Sequence, residues 1–174
     1  YDGKGQILIG PETDPQAAWR ALGAPAGVLE AKVDFACEVS VVLGRGVDGK
    51  IAAYDVVENE HENGILRTTR APARIDPSIA ADARAIASRI ADALDLVGVL
   101  AVEMFVTADD RVLVNEMAPR PHNSGHWTID ACPTSQFELL VRAACGLPLA
   151  GTERLCDAAM TNILGVEAED WLAP

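Results

Sequence analysis

The stretch Val99-Leu100-Ala101-Val102-Glu103-Met104-Phe105-Val106-Thr107, followed by Arg111-Val112-Leu113-Val114-Asn115-Glu116, decides the fold. Two apolar runs flank Ala108-Asp109-Asp110, so they read as the strands of a hairpin turning at Asp109–Asp110. That turn sets Glu103 directly opposite Glu116. The same face otherwise carries Phe105, Val112 and Val114, and the other carries Val102, Met104, Val106, Leu113 and Met117. Both faces are apolar, which predicts a hairpin buried on both sides rather than a solvated edge. Like charges directly across a ladder repel. In a buried setting they need a cation or a shared proton. Oxygen-only ligands suit Mg²⁺ or Mn²⁺, which take a few carboxylates and let phosphate oxygens complete the shell. A one-residue slip in register would instead send one Glu to solvent.

The second strand runs on into Met117-Ala118-Pro119-Arg120-Pro121-His122-Asn123-Ser124-Gly125-His126-Trp127. A loop carried on a rigid strand is a common seat of chemistry. His122 and His126 have the spacing of a helical zinc pair, but Asn123-Ser124-Gly125 argues against a helix and no H-E-x-x-H is present. Donors for an anion or a polar substrate suit the segment better than zinc.

The chain has 174 residues, 49% hydrophobic and 23% charged, enough for one sizeable core. A net charge of −12 weighs against a nucleic-acid surface. No apolar run reaches the ~18 residues of a membrane span, and no signal peptide is visible. Cys37, Cys132, Cys145 and Cys156 are scattered without a C-x-x-C, which reads as reduced, non-catalytic thiols of a cytoplasmic protein.

From the start, Tyr1-Asp2-Gly3-Lys4-Gly5-Gln6 precedes the apolar Ile7–Ile9. Glycines let backbone N–H groups approach phosphates and Lys4 adds a point charge, although the Walker spacing is missing. Asp14 caps a helix over Pro15–Leu22, closed by Gly23. Val28–Glu30 reads as a short buried strand. Phe35–Leu43, the turn Val47–Lys50, the returning Ile51–Val57 and a strand over Ile65–Thr69 make an antiparallel meander, with Glu58–Gly64 as a polar loop. Glu38 lies in the first of these strands and needs a hydroxyl or cation partner if it faces inward. His61 reads as a surface-loop histidine. Asp76–Pro77 opens a helix with an apolar stripe of Ile79, Ala83, Ile86, Ile90 and Leu94. Gln136–Ala144 is a further helix, ended by Gly146 and Pro148, and Leu155–Leu164 begins another strand. The fold class is therefore α+β, a mainly antiparallel sheet with packed helices.

A Gly-rich Lys4 loop, Glu30 and Glu38 about a strand, the paired acids Glu103 and Glu116 and a following basic loop resemble the ordered parts of the ATP-grasp ligases. The likeness is nearest to the branch that carboxylates aminoimidazole ribonucleotide in purine biosynthesis. It runs along the whole chain and is most specific over Asn115–Thr128, above all His122–Trp127. The resemblance implies that ATP, bicarbonate and the ribonucleotide give the N-carboxylated ribonucleotide, ADP and phosphate. It implies Tyr1, Asp2, Gly3, Lys4, Gly5 and Gln6 over the ATP phosphates, and Glu30, Ala31, Lys32 and Val33 along the adenine. It implies Glu38 on the ribose hydroxyls and His61 beside the nucleotide. Glu103 and Glu116 are implied to hold Mg²⁺ with Asn115 beside them, and Arg120, His122 and Asn123 to face bicarbonate and the ribonucleotide as the catalytic set. The implied domains are the end of a small lobe (1–31), a large lobe (32–149) and the start of a small C-terminal domain (150–174). The chain is then expected to lack both ends of the full fold, and the protein to be a homodimer. Another ATP-grasp carboxylase, a formate-using ribonucleotide ligase and a non-catalytic nucleotide-binding fragment remain alternatives on sequence alone.

Overall fold

A computed structural model describes residues 5–23, 26–165 and 168. Its frame is a seven-stranded sheet in the order β6 (Val112–Ala118), β5 (Gly98–Val106), β1 (Cys37–Arg45), β3 (Val57–Glu62), β4 (Ile65–Ala71) and β7 (Ala158–Thr161), with β2 (Ile51–Ala53) also paired to β1. Helix α1 (Pro15–Leu22) forms as its sequence dictates: the Asp14 carboxylate accepts from the Gln16 N–H at 3.0 Å, Pro15 opens the helix, and Gly23 closes it with φ 65°.

Two central strands, β1 (Cys37–Arg45) and β5 (Gly98–Val106), pair antiparallel over nine residues without a break. Val39–Leu43 and Val99–Met104 are buried on both sides, which is why both strands read as continuous runs. On one face they meet helix α2 (Pro77–Ala93), capped by Asp76. Ile79, Ala83, Ala87 and Ala91 pack there against Val39, Val41, Leu43, Leu100, Val102, Met104 and Val106. The buried line of α2 runs through the alanines. Leu94, expected on that stripe, lies past the helix end and is half exposed. On the opposite face sit the short α3 (Thr128–Ala131) and α4 (Gln136–Ala144). Leu139 of α4 presses against Gly44 of β1, where a Cβ would meet Leu139 Cγ at 2.6 Å. Tyr54 donates to the Thr134 carbonyl at 2.8 Å and stands edge-on to Trp127, tying the loop before α4 to the sheet.

Beside β1, β2 (Ile51–Ala53) returns from the Gly49 turn. Then β3 (Val57–Glu62) and β4 (Ile65–Ala71) form a hairpin turning at Asn63–Gly64. The expected polar loop over Glu58–Gly64 is therefore mostly a strand. Its polar side chains are compatible with pairing because one of its faces meets other polar groups. β7 (Ala158–Thr161) pairs with β4, and Arg154–Asp55 at 2.9 Å and Thr152–Ala53 at 2.9 Å hold the preceding segment to the sheet.

Three further expectations need correcting. Val28–Glu30 is not a strand: Val28 and Leu29 are among the most exposed apolar residues, and no described strand pairs with them. Strand β6 (Val112–Ala118) is not buried on both faces. Among the described residues it is the sheet's edge, paired only with β5, and Val114 and Met117 are about half exposed. Finally, the β5–β6 ladder shifts register between Glu103 and Met104. Glu103 does face Glu116, but beyond Asn115 the pairs become Met104↔Val114, Phe105↔Leu113 and Val106↔Val112. One extra residue on β6 swaps Val112–Val114 to the opposite faces from those an unbroken alternation gives.

Candidate active site

The face of the sheet carrying α3 and α4 begins apolar and turns polar toward β3 and β6. Glu103 stands at the turning point. It comes from a central strand, so its side chain is only 8% exposed, whereas Glu116 on the edge strand is exposed. Burial pushes the Glu103 carboxyl above its ordinary range. His61 pulls it back, and the charges of Glu116 and Glu38 raise it further.

Ser40 pairs with Glu103 across β1–β5, and Glu38 lies two residues along the same strand. Glu38 Oε2 accepts a hydrogen bond from His61 Nδ1, so His61 joins this cluster of polar side chains and is not the surface-loop histidine its sequence suggests. That bond is the chief reason the His61 pKa rises. Burial opposes the rise, and the charges of Glu38, Glu103 and Glu116 support it. Behind this pair runs a buried hydroxyl–amide chain: Thr69 Oγ1 donates to Asn59 Oδ1 at 2.9 Å, and Asn59 Nδ2 donates to Ser40 Oγ at 2.9 Å. The buried side chains of Ser40, Asn59 and Thr69 are thereby paired with one another.

The loop after β6 brings His122 over the same carboxylate, with Nε2 3.1 Å from Glu103 Oε1. Ser124 donates its backbone N–H to His122 Nδ1 at 3.3 Å, and the Ser124 hydroxyl lies 2.9 Å from the same nitrogen. Nδ1 is thus the acceptor and Nε2 carries the proton. Burial first, then the Arg120 charge, pushes the His122 pKa down to about 4. The contact is therefore a neutral imidazole donating to Glu103, not an ion pair. His126 turns elsewhere: its ring stacks on Phe137 with centroids 5.8 Å apart, and burial lowers its pKa. The two histidines do not converge on one point. Among the described residues no three His, Cys, Asp or Glu cluster as a ready-made metal cage.

The structure therefore brings together Glu38, His61, Glu103, Glu116 and His122, with Asn115 exposed at the register shift. Arg120 and Asn123 are exposed on the adjoining loop, where the Arg120 guanidinium donates to the Pro121 carbonyl. Tyr1, Asp2, Gly3 and Lys4 lie outside the described residues. Gly5 and Gln6 are exposed, with Gly5 at φ 78°. Glu30, Ala31 and Lys32 are exposed and Val33 is half-buried, in irregular chain ahead of β1. Sequence reasoning missed Ser40, Asn59, Thr69 and Gln136. The hint for Ser40 is a lone hydroxyl within Val39-Ser40-Val41. Thiol chemistry is not suggested: the four cysteines are free, and burial raises Cys37 and pushes Cys132 up to about 11.

Comparison with known proteins sharpens this picture. The ATP-grasp domain family matches residues 1–137. The N5-carboxyaminoimidazole ribonucleotide synthase of Bacillus subtilis (strain 168) is 48% identical over 169 residues, covering 97% of this chain and 44% of that protein. A crystal structure described as an ADP complex of N5-carboxyaminoimidazole ribonucleotide synthetase superposes with TM-score 0.93 at 49% identity, over 99% of this chain and 46% of the other. The Staphylococcus aureus N5-carboxyaminoimidazole synthetase complexed with ADP gives TM-score 0.89 at 39% identity, over 97% and 45%. The chain thus spans less than half the length of the relatives it matches.

Proposed function

The chain belongs to the ATP-grasp family, and we propose that the protein it forms carboxylates 5-aminoimidazole ribonucleotide with bicarbonate at the expense of ATP. The products are N5-carboxyaminoimidazole ribonucleotide, ADP and phosphate, a step of de novo purine (IMP) biosynthesis. The observation that carries this reading is the Glu103–Glu116 pair beneath His122, on a face that also bears Glu38–His61, in a chain so similar to synthases of that name.

The residues fit a hard cation. Two carboxylates lie opposite each other, one is buried, and the buried one is held above its ordinary pKa with no Lys or Arg against it among its described partners. Glu103 and Glu116 would hold Mg²⁺ or Mn²⁺, which when bound neutralises charge on the phosphates. The remaining roles fall to the chain itself. Glu38 accepts from the ribose hydroxyls, and His61 beside it fixes that carboxylate. Tyr1–Gln6 closes over the phosphates and Glu30–Val33 lines the adenine. Arg120, His122 and Asn123 orient bicarbonate and the ribonucleotide next to the transferred phosphoryl group.

Bicarbonate oxygen attacks the γ-phosphorus and ADP leaves. The resulting carboxyphosphate passes its carbon to the ribonucleotide amine, releasing phosphate. Such an intermediate has to be kept from water, which suits a Gly-rich covering loop. Phosphoryl transfer of this kind is mostly positioning and charge neutralisation.

The same reading makes residues 1–31 the end of the small lobe, 32–149 the large lobe and 150–174 the start of a small C-terminal domain. It makes the protein a cytoplasmic homodimer without nucleic-acid or membrane partners. The net charge of −12 supports the former exclusion. Among the described residues no helix is long and apolar enough to cross a membrane. The test is phosphate release from ATP by the intact protein, with bicarbonate and with or without aminoimidazole ribonucleotide. Release that needs both co-substrates is expected. Release driven by formate, or none with either, would replace this reading with another ATP-grasp ligase or a non-catalytic nucleotide binder.

A further inference from the structure

We propose that Gln136 is a positioning residue whose side-chain amide clamps the His122 peptide, so that the imidazole Nε2–H is held against Glu103. Gln136 is fully buried at the first turn of α4, directly after the N-cap Ser135. Its Oε1 accepts from the His122 backbone N–H at 2.9 Å, and its Nε2 donates to the His122 carbonyl at 2.7 Å. One side chain thus supplies both bonds that a neighbouring strand would give this residue.

The surroundings are shaped to admit that amide. A Cβ on Gly125 would lie 2.5 Å from Gln136 Oε1 and 2.7 Å from its Cδ, so the amide occupies the space a side chain would take. The Gln136 backbone N–H donates to Thr128 Oγ1 at 3.0 Å, and that hydroxyl donates to the Gly125 carbonyl at 2.6 Å. α4 in turn is seated on the sheet through Leu139 at Gly44. A continuous set of contacts therefore leads from the sheet through α4 and Gln136 to His122, and back to Glu103 on the same sheet. A residue needed only to fill space here would cost less as an apolar one, because a buried amide must have both ends paired. With Nε2–H fixed on Oε1, the carboxylate has a defined rotation and its other oxygen is left for a ligand.

This inference rests on the proposed reaction for its kinetic consequence but not for its geometry, and the test separates the two. Long-range ¹H–¹⁵N NMR on the intact protein without nucleotide, at neutral pH, reads the His122 tautomer, and hydrogen exchange reads its backbone amide. The wild type is expected to show the Nε2–H tautomer and a protected amide. Gln136→Leu removes both bonds at similar volume, and Gly125→Ala displaces the same amide by steric contact. Each is expected to populate both tautomers and to lower His122 amide protection about tenfold or more. Each should also lower kcat at least tenfold, with the ATP KM changed by less than about twofold. An Nδ1–H tautomer or an unprotected His122 amide in the wild type would overturn the clamp, and this measurement decides the matter should neither variant fold. A folded Gln136→Leu with unchanged tautomer and kcat would overturn it too, as would a KM rise that accounts for the whole loss. An intact protein without ATP turnover overturns the reaction, while the Nε2–H tautomer in that protein still supports the clamp.

Discussion

The two faces of the sheet are built from the same strands in the same register, yet they are held together differently. Toward α2, every second residue of β1 and β5 is aliphatic, from Val39 to Leu43 and from Leu100 to Val106, and α2 meets them with small alanines. Toward α4, the intervening residues start apolar, with Val42, Val99 and Ala101 around Leu139 and Trp127. They then become Ser40, Glu38 and Glu103, joined by Asn59, Thr69, His61 and His122. The α2 face depends on volume and tolerates apolar side chains of matching size. The α4 face depends on pairing, so a change that preserves volume can still disable it.

Charge at the polar end is where that contrast is sharpest. Glu103→Gln keeps shape and removes charge, and Glu116→Gln does the same across the ladder. Metal-dependent ATP turnover of the intact protein is expected to fall about a thousandfold in each, near 4 kcal/mol. The folded protein without metal should melt no lower than wild type, because Glu103→Gln removes a buried, repelled carboxylate and Glu116→Gln removes a charge that repels it. Normal turnover in a well-folded Glu103→Gln protein would make the carboxylate structural.

Leu100→Ala attacks the other face. Leu100 is fully buried toward α2, and its truncation should cost about 3 kcal/mol of unfolding free energy in denaturant titration. Turnover of the folded fraction should be unchanged. A comparable drop in kcat would show that the two faces are not separable.

Ser40→Ala falls between these. It changes volume little but strands Asn59 Nδ2 in the core without its acceptor. The expected loss is about 1–2 kcal/mol in the same titration. A loss near zero would mean that the hydroxyl–amide chain contributes packing alone.

The same contrast decides what the sequence discloses. Helix limits were readable to the residue where caps signal them, as at Asp14, Gly23 and the Gln136–Ala144 helix. The α2 face was readable in part: volume-driven packing leaves an apolar period that marked Ile79 and Ala83, but Ala87 and Ala91 complete the buried line and Leu94 does not. The Glu103–Glu116 pairing was reached from a two-residue turn register that does not hold beside the turn, where Val106 faces Val112; the extra residue at Asn115 brings the two acids opposite each other all the same. The register shift at Asn115 was not readable, since an extra residue on one strand changes no local propensity. Nor was β3, because Glu58-Asn59-Glu60-His61 has the composition of a loop and becomes a strand only when Ser40, Thr69 and Glu38 supply partners. Val28–Leu29 misled in the opposite sense: an apolar pair promises burial, but it cannot make a strand without a neighbouring ladder. Gln136 was invisible because its partner is the backbone of a residue in a different loop.

The smallest expected effect separates the two site histidines by sign. His61 has a folded pKa raised above its ordinary value of 6.5, chiefly by the bond to Glu38. A histidine raised in this way adds stability that is fully present below about 6.5 and fades as pH climbs through the folded pKa. His122 is pushed down to about 4 by burial. The unfolded chain then binds the extra proton, so stability is lost as pH falls from about 6.5 toward 4. His61→Gln should therefore cost up to about 1 kcal/mol in slightly acidic buffer, small because the pair is partly solvated, and almost nothing at alkaline pH. His122→Gln should flatten the acid limb of the melting curve, while leaving the alkaline limb nearer to wild type. Melting temperature followed across pH for wild type and both variants, without metal, reads all of this. A His61→Gln deficit that grows with rising pH would show that the Glu38 bond does not hold the proton, and Glu38 would then be free to face a ligand without His61 fixing it.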